Sequence, residues 1–333
     1  MRISSAALIR ALSPSDLEDF VDDWLAQRVK DYSAHELWRG TGDMGRDVTG
    51  YVTDRRLEGE WDNFQCKQLS VKLSERAAFV ELGKIFRHAA DLEFALPRAY
   101  YFVAPYGVVR NVQQFVAHPE KFRQAFLSNW DAEIGPYLAE GQIIPLTPAI
   151  ETQIKTFDFT KIDWLDATRL AQDSACKPAL VKWFDEDPGP WPRGAVPDEI
   201  QDSESAYIGQ LLTVYSQKGL GLYPDAATAL ACPEVGPNMR VQRRRFFDSV
   251  AFERFYRDST PKEYLKNFRE EIYLGVLDTH ERTHESRYVR LGEVMTQAAA
   301  LHATGVLGKH ASAPVKQGTC HLLANEGLLP WDR

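Results

Sequence analysis

Cysteine is scarce in this 333-residue chain: Cys66, Cys176, Cys232 and Cys320 stand far apart and form no C-x-x-C pair. A zinc knuckle and a disulfide framework are therefore not expected, and the four read as reduced, structural thiols. No uninterrupted apolar run approaches the roughly 20 residues that span a bilayer. The opening MRISSAALIRALSPSD is too polar for a secretory leader, so the expected setting is the cytoplasm with no membrane partner. The eight histidines suggest no zinc hydrolase, and neither G-x-S-x-G nor G-x-x-x-x-G-K-S/T occurs. Any ATP-driven step would need another protein. Positive charge is also short, since a formal net charge of -8 argues against coating nucleic acid by bulk electrostatics. A local basic groove remains compatible with that total.

What is present is ordinary globular material, 44% hydrophobic and 26% charged, in a length that admits two domains of roughly 150 residues each. In ALSPSDLEDFVDDWLAQRV the residues Leu17, Phe20, Val21, Trp24 and Leu25 recur at helical spacing behind a Ser13-Pro14 start. A strand-and-turn region follows over about 35–67, then a helix over 74–90, a buried strand over 100–104 and a third helix over 108–130. Residues 141–145 suggest an edge strand. This order predicts an α/β domain with a small mixed sheet flanked by helices over 1–184. DEDPGPWPRGAVP is rich in proline, glycine and charge and predicts a linker over 185–198. Residues 199–333 then read as an all-α domain of four or five helices.

The stretch GTGDMGRDVTGYVTD holds G-x-G-x-x-G in Gly40, Gly42 and Gly45. A nucleotide loop should follow a strand and open a helix, whereas β-branched and aromatic residues follow Gly45. The glycines are better read as a tight turn before a strand that carries Asp47. On the next strand, NFQCK places Gln65 and Lys67 on one face with Cys66 turned away. A hairpin would gather Asp47, Gln65 and Lys67, an arrangement suited to magnesium-dependent phosphodiester cleavage. The Asp47 carboxylate, the Gln65 amide oxygen and the Cys66 main-chain carbonyl are hard ligands for Mg²⁺ or Mn²⁺, and Lys67 would steady or deprotonate the attacking water. Asp43 is a spare candidate. Each residue also has a plainer reading, Asp47 as a turn cap and Gln65 with Lys67 as an exposed strand face.

GDMGRDVTGYVTD followed by FQCK resembles the D…Q-x-K signature of Mrr-like restriction endonucleases, a branch of the PD-(D/E)XK nuclease superfamily. The resemblance covers about residues 13–130 and implies a restriction-endonuclease-like fold, a double-stranded DNA substrate and a glutamate on the first helix beside the metal. Glu18 is the matching position, although Ser15-x-x-Glu18 is also a capping box. Double-strand cutting would call for two such sites, hence a homodimer or a larger assembly. The competing expectation is a non-catalytic, nuclease-like adaptor that binds nucleic acid or partner subunits.

In the second half, VPDEIQDSESAYIGQLLTVYS, RRRFFDSVAFERFYRDS, EEIYLGVLDTH and GTCHLLANEGLLPW are similar to the C-terminal domain of ABC-three-component systems. That likeness implies a docking module in an antiviral defence effector, with an ATPase and a small middle component as partners. Arg240, Arg243, Arg244 and Arg245 form a basic run that either touches phosphate or is the solvated face of a helix. The neighbouring Phe246, Phe247, Phe252 and Phe255 read as core.

Overall fold

Three strands in the computed structural model, β1 (Ala34–Leu37), β2 (Val48–Tyr51) and β3 (Trp61–Cys66), form an antiparallel meander. The structure describes residues 3–40, 43–217 and 221–333. β4 (Ala99–Val103) and β5 (Ile162–Leu165) extend the sheet in parallel from β3, giving the order β1-β2-β3-β4-β5. The turn from antiparallel to parallel requires a crossover after β3. It is supplied by α3 (Glu75–Ala90), capped by Ser74, whose hydroxyl accepts from the Ala77 N–H.

Helices cover both faces of this sheet. On one side Tyr51, Trp61, Tyr100 and Phe102 pack with Phe79, Leu82, Ile85 and Phe86 of α3. Phe122 and Phe126 of α5 (Pro119–Ser128) join them, with ring centroids 5.7 and 5.3 Å from Phe79. Such ring pairs add about 0.5–1.5 kcal/mol each beyond their burial. On the other side Val48, Phe64, Cys66 and Val103 meet Leu17, Phe20, Val21 and Trp24 of α2 (Pro14–Leu25). α1 (Ser5–Arg10), α7 (Ala167–Gln172) and α8 (Lys177–Phe184) complete that layer, while α4 (Arg110–Ala117) and α6 (Pro148–Thr156) lie with α3 and α5.

Two expectations need correction. The helix expected over 108–130 is broken at His118, whose ψ of 72° leaves the helical region. Pro119 follows it, and a residue before proline is driven out of the helical basin. No strand forms over 141–145; only an isolated bridge joins Ala139 to Gln142, and the remaining strand is β5.

The chain divides into two units between Glu186 and Asp187. The second unit is helical, with α9 (Ser205–Tyr215), α11 (Gly236–Arg257), α12 (Lys262–Glu281), α13 (Arg287–Ala300) and α15 (Ala313–Asn325) as its long members. α10 (Ala226–Ala231) and α14 (Gly305–Gly308) are short. The proline-rich segment before α9 is bound to this unit. Gly189 O accepts from Tyr256 Oη at 2.8 Å, and Trp191 Nε1 donates to His310 O at 3.1 Å. Arg243 Nη2 donates to Pro197 O and Glu199 O, each at 2.9 Å.

At the centre of the second unit α11 and α15 approach so closely that a Cβ on Gly318 would stand 1.9 Å from Arg245 O. Helix propensity alone would favour alanine there by about 1 kcal/mol. The backbone clash outweighs it, so Gly318→Ala should cost about 2 kcal/mol of stability or more and lower the thermal midpoint. A raised midpoint would show that the helices separate at little cost.

Candidate active site

Val48 stands opposite Phe64 in the β2–β3 ladder, and the next step outward sets Asp47 against Gln65. Because Val48, Phe64 and Cys66 turn toward α2, the two-residue period turns Asp47, Gln65 and Lys67 toward α3. Asp47 Oδ2 accepts two hydrogen bonds, from Gln65 Nε2 and from the Cys66 main-chain N–H, each 2.7 Å long. Lys67 follows the strand directly and its N–H donates to Val103 O at 2.8 Å.

The glycine-containing loop serves this geometry. Asp43 Oδ1 accepts from the Gly45 N–H at 2.9 Å, and Asp43 O accepts from the Arg46 N–H at 3.0 Å. Asp43 is thus the turn residue. Gly45 has a φ of +85°, and an added Cβ would lie 2.9 Å from Lys84 Cβ; both the dihedral and the close approach to α3 require glycine. Gly40 also has a positive φ, and Gly42 lies outside the described residues. The buried Arg46 guanidinium stacks on Trp38, 4.1 Å from its ring centroid, and on Phe94 at 4.7 Å. These contacts fix the turn that delivers Asp47 into β2.

Burial pushes the Asp47 carboxyl up to about 6, against the pull of the Lys67 ammonium and the Cys66 N–H, while Glu18 and Asp43 add to the rise. Burial lowers Lys67, but Glu81 and Asp47 outweigh it and hold the ammonium above its ordinary value. Glu81, on α3, is 3.1 Å from Lys67 Nζ and 2.9 Å from Lys84 Nζ. Sequence reading missed Glu81. Its signal was a carboxylate inside the buried stripe of α3, three residues after Ala78 and four before Ile85.

Glu18 is half-buried on α2, across the sheet from α3, and burial lifts its carboxyl above the usual range while Lys67 opposes. The Ser15/Glu18 capping box does not form. Ser13 caps α2 instead, its hydroxyl accepting from the Asp16 N–H at 3.1 Å while Asp16 Oδ2 accepts from the Ser13 N–H at 3.4 Å. Among the described residues, Glu18 makes no side-chain hydrogen bond.

Donor chemistry in this cluster suits a hard cation. Gln65 Oε1 is buried and has no hydrogen-bond partner among the described residues, a state that costs about 1–3 kcal/mol unless something meets it. Asp47 Oδ1 accepts no hydrogen bond among the described residues, and the Glu18 and Asp43 carboxylates add to the cost of ionising Asp47. Burial holds the Cys66 thiol well above its usual range, so only its main-chain oxygen is a candidate ligand. Among the described residues no three of His, Cys, Asp and Glu form a metal-binding group; the donor set would be mixed, from carboxylate, amide and main chain.

One histidine pattern bears on the expectation of no zinc hydrolase: His280, Glu281, Arg282, Thr283 and His284 have H-E-x-x-H spacing. On a continuous helix that spacing sets two imidazoles on one face. Here α12 ends at Glu281. His280 Nε2 bonds Pro330 O at 2.9 Å, and His284 bonds Thr279 O through Nε2 at 2.7 Å and Glu293 through Nδ1 at 2.9 Å. Nor is the arginine run a uniform face. Arg243 is buried and pairs with Glu204 through two hydrogen bonds of 2.9 and 2.7 Å.

Comparison with known proteins bears on the second unit: residues 204–331 match the family model of C-terminal domain 6 of the ABC-three component (ABC-3C) systems. The resemblance expected for the C-terminal half is borne out over that range. No curated protein and no solved structure matches the chain. No helix among the described residues is long and apolar enough to cross a membrane.

The raised Asp47 carboxyl has a measurable consequence in the metal-free protein. Folding favours its protonated form, so the contribution is fully present below the ordinary carboxylate range and is lost as pH rises through about 6. Asp47→Asn keeps an oxygen acceptor without the charge. It should stabilise the metal-free chain at pH 8 by something on the order of 2–3 kcal/mol, with the gain vanishing near pH 4. Thermal melts across pH check this; a variant less stable at pH 8 would show that Lys67 already compensates the charge.

Proposed function

We propose that the protein is a divalent-metal-dependent DNA endonuclease that acts as a component of an ABC-three component defence system. The observation that carries the chemistry is the convergence of Asp47, Gln65 and Lys67 on one sheet face, with a buried, unpartnered Gln65 oxygen beside a buried carboxylate. The match over residues 204–331 supports the system. DNA as the substrate follows from the resemblance of the Asp47–Lys67 region to Mrr-like nucleases.

Asp47, Gln65 Oε1 and the Cys66 main-chain oxygen, with Glu18 near them, are the groups that would hold Mg²⁺ or Mn²⁺. When bound, such an ion supplies Lewis acidity at the scissile phosphodiester. Gln65 and the Cys66 N–H hold one Asp47 oxygen in place and leave the other for the ion. Lys67 acts as an ammonium. Held by Glu81, it sets positive charge where the phosphate oxygens gain negative charge, and it is poorly suited to take a proton from water. Glu81 is a positioning residue that keeps Lys67 charged and oriented. The second unit docks the chain to its partners, an ATPase and a middle component. Two copies of the chain, or a larger assembly, bring the two centres that double-strand cutting needs.

Cleavage of supercoiled plasmid with Mg²⁺ or Mn²⁺, by the chain alone and with the partner components of its own system, tests this reading. Asp47→Ala and Lys67→Ala should each lose about a hundredfold or more in rate. Equal cutting by parent and variants would remove the site; a metal-independent fold of the same stability that never cuts would leave an adaptor. Glu81→Gln should move the alkaline limb of the pH–rate profile to lower pH, since it removes the charge that raises Lys67. An unmoved limb would show that Lys67 is not the group that must stay protonated.

A further inference from the structure

Three arginines of the basic run remain once Arg243 is assigned to Glu204, and they share one cleft. Arg240, Val241, Arg244 and Arg245 of α11, with Pro314 and Gln317 of α15, line a cavity of about 390 Å³. Among the described residues no carboxylate lines it. Among the described residues none of the three arginines forms an ion pair with Asp or Glu, although the chain carries 47 acidic residues against 39 basic ones. Arg240 donates to Leu230 O at 2.8 Å and Arg245 to Gln242 Oε1 at 2.9 Å; both partners are neutral acceptors that leave the charge uncompensated. Burial pulls Arg245 below its ordinary value; Tyr215 and Cys320 oppose it, and no carboxylate does. Pro314 belongs to the first turn of the 13-residue α15, whose positive end adds to the potential.

An uncompensated cationic cleft in an acidic protein is a site for an anion. Arg240 and Arg244 are one helical turn apart, about 6 Å along the axis, so the two side chains leave α11 in a row along the cleft. A line of arginines suits successive phosphates of a polymer, with each guanidinium able to bond one phosphate through two N–H groups. We infer that the Arg240–Arg244–Arg245 cleft of the second unit binds the sugar-phosphate backbone of a nucleic acid. The inference rests on the endonuclease reading only for the kind of polymer; it does not need the first unit to cut.

The test is fluorescence anisotropy of a labelled 20-nucleotide DNA, single-stranded and duplex, titrated with the full chain at several salt concentrations. Arg240→Gln/Arg244→Gln should weaken binding about tenfold and flatten the salt dependence by about two counterions, with an unchanged melting temperature. Arg240→Lys/Arg244→Lys should keep most of the affinity. Asp47→Ala, assayed in parallel, should retain the arginine-dependent component, so a failed nuclease site and a failed cleft give different results. Equal binding by the Gln variant and the parent, or no binding by the parent, overturns the inference. Displacement of the DNA by inorganic phosphate or ATP at matched phosphate concentration also overturns it, because the cleft would then recognise an isolated phosphate.

Discussion

A carboxylate held inside the protein by two hydrogen bonds and faced by one ammonium is the constraint around which the first unit is built. Asp47 reaches that position because the β2–β3 register puts it against Gln65, and because the turn at Gly45 lets the chain pass close to α3. The ionised group is costly there, as its elevation to about 6 records. Its nearest compensation, Lys67, is shared with Glu81. The cluster therefore has spare negative charge and a spare amide oxygen, an imbalance that a bound divalent cation would relieve.

The second unit rests on a different electrostatic device. Arg243 and Glu204 are both buried and fully engaged with each other, and Arg243 also reaches the carbonyls of Pro197 and Glu199. A buried pair of this kind adds little net stability, since desolvation consumes most of the attraction. Its effect here is positional: it ties the segment before α9 to the middle of α11. The Arg240–Arg245 run of this helix thus holds one arginine that organises the unit and three that lack carboxylate partners among the described residues, a separation of roles within two turns.

The broad outline was legible in the residues. Helical spacing of Leu17, Phe20, Val21 and Trp24 and the alternation in NFQCK gave the right elements and put Gln65 and Lys67 on one face. The mixed sheet followed by a helical unit, and the likeness of the C-terminal half to the ABC-three component domain, were likewise readable. Other features depended on tertiary contacts. β5 has only four residues, IDWL, without a clean alternation, and it is recognisable as a strand only because β4 lies beside it. Glu81 looked like an ordinary helix residue until the fold brought it to Lys67. Arg243 could not be told from Arg240, Arg244 and Arg245 without the helix orientation, and the choice of Ser13 over Ser15 as the cap depends on which backbone N–H each hydroxyl meets.

The central claim is that Asp47 and Gln65 form a cation site, and Mn²⁺ binding to the full chain tests it without requiring that the enzyme be switched on. Titration followed by electron paramagnetic resonance at pH 7.5, where Asp47 is ionised, should show saturable binding. Asp47→Ala and Gln65→Ala should each weaken it by about tenfold or more. Equal Mn²⁺ binding by the parent and both variants, or no binding by the parent, would contradict the account.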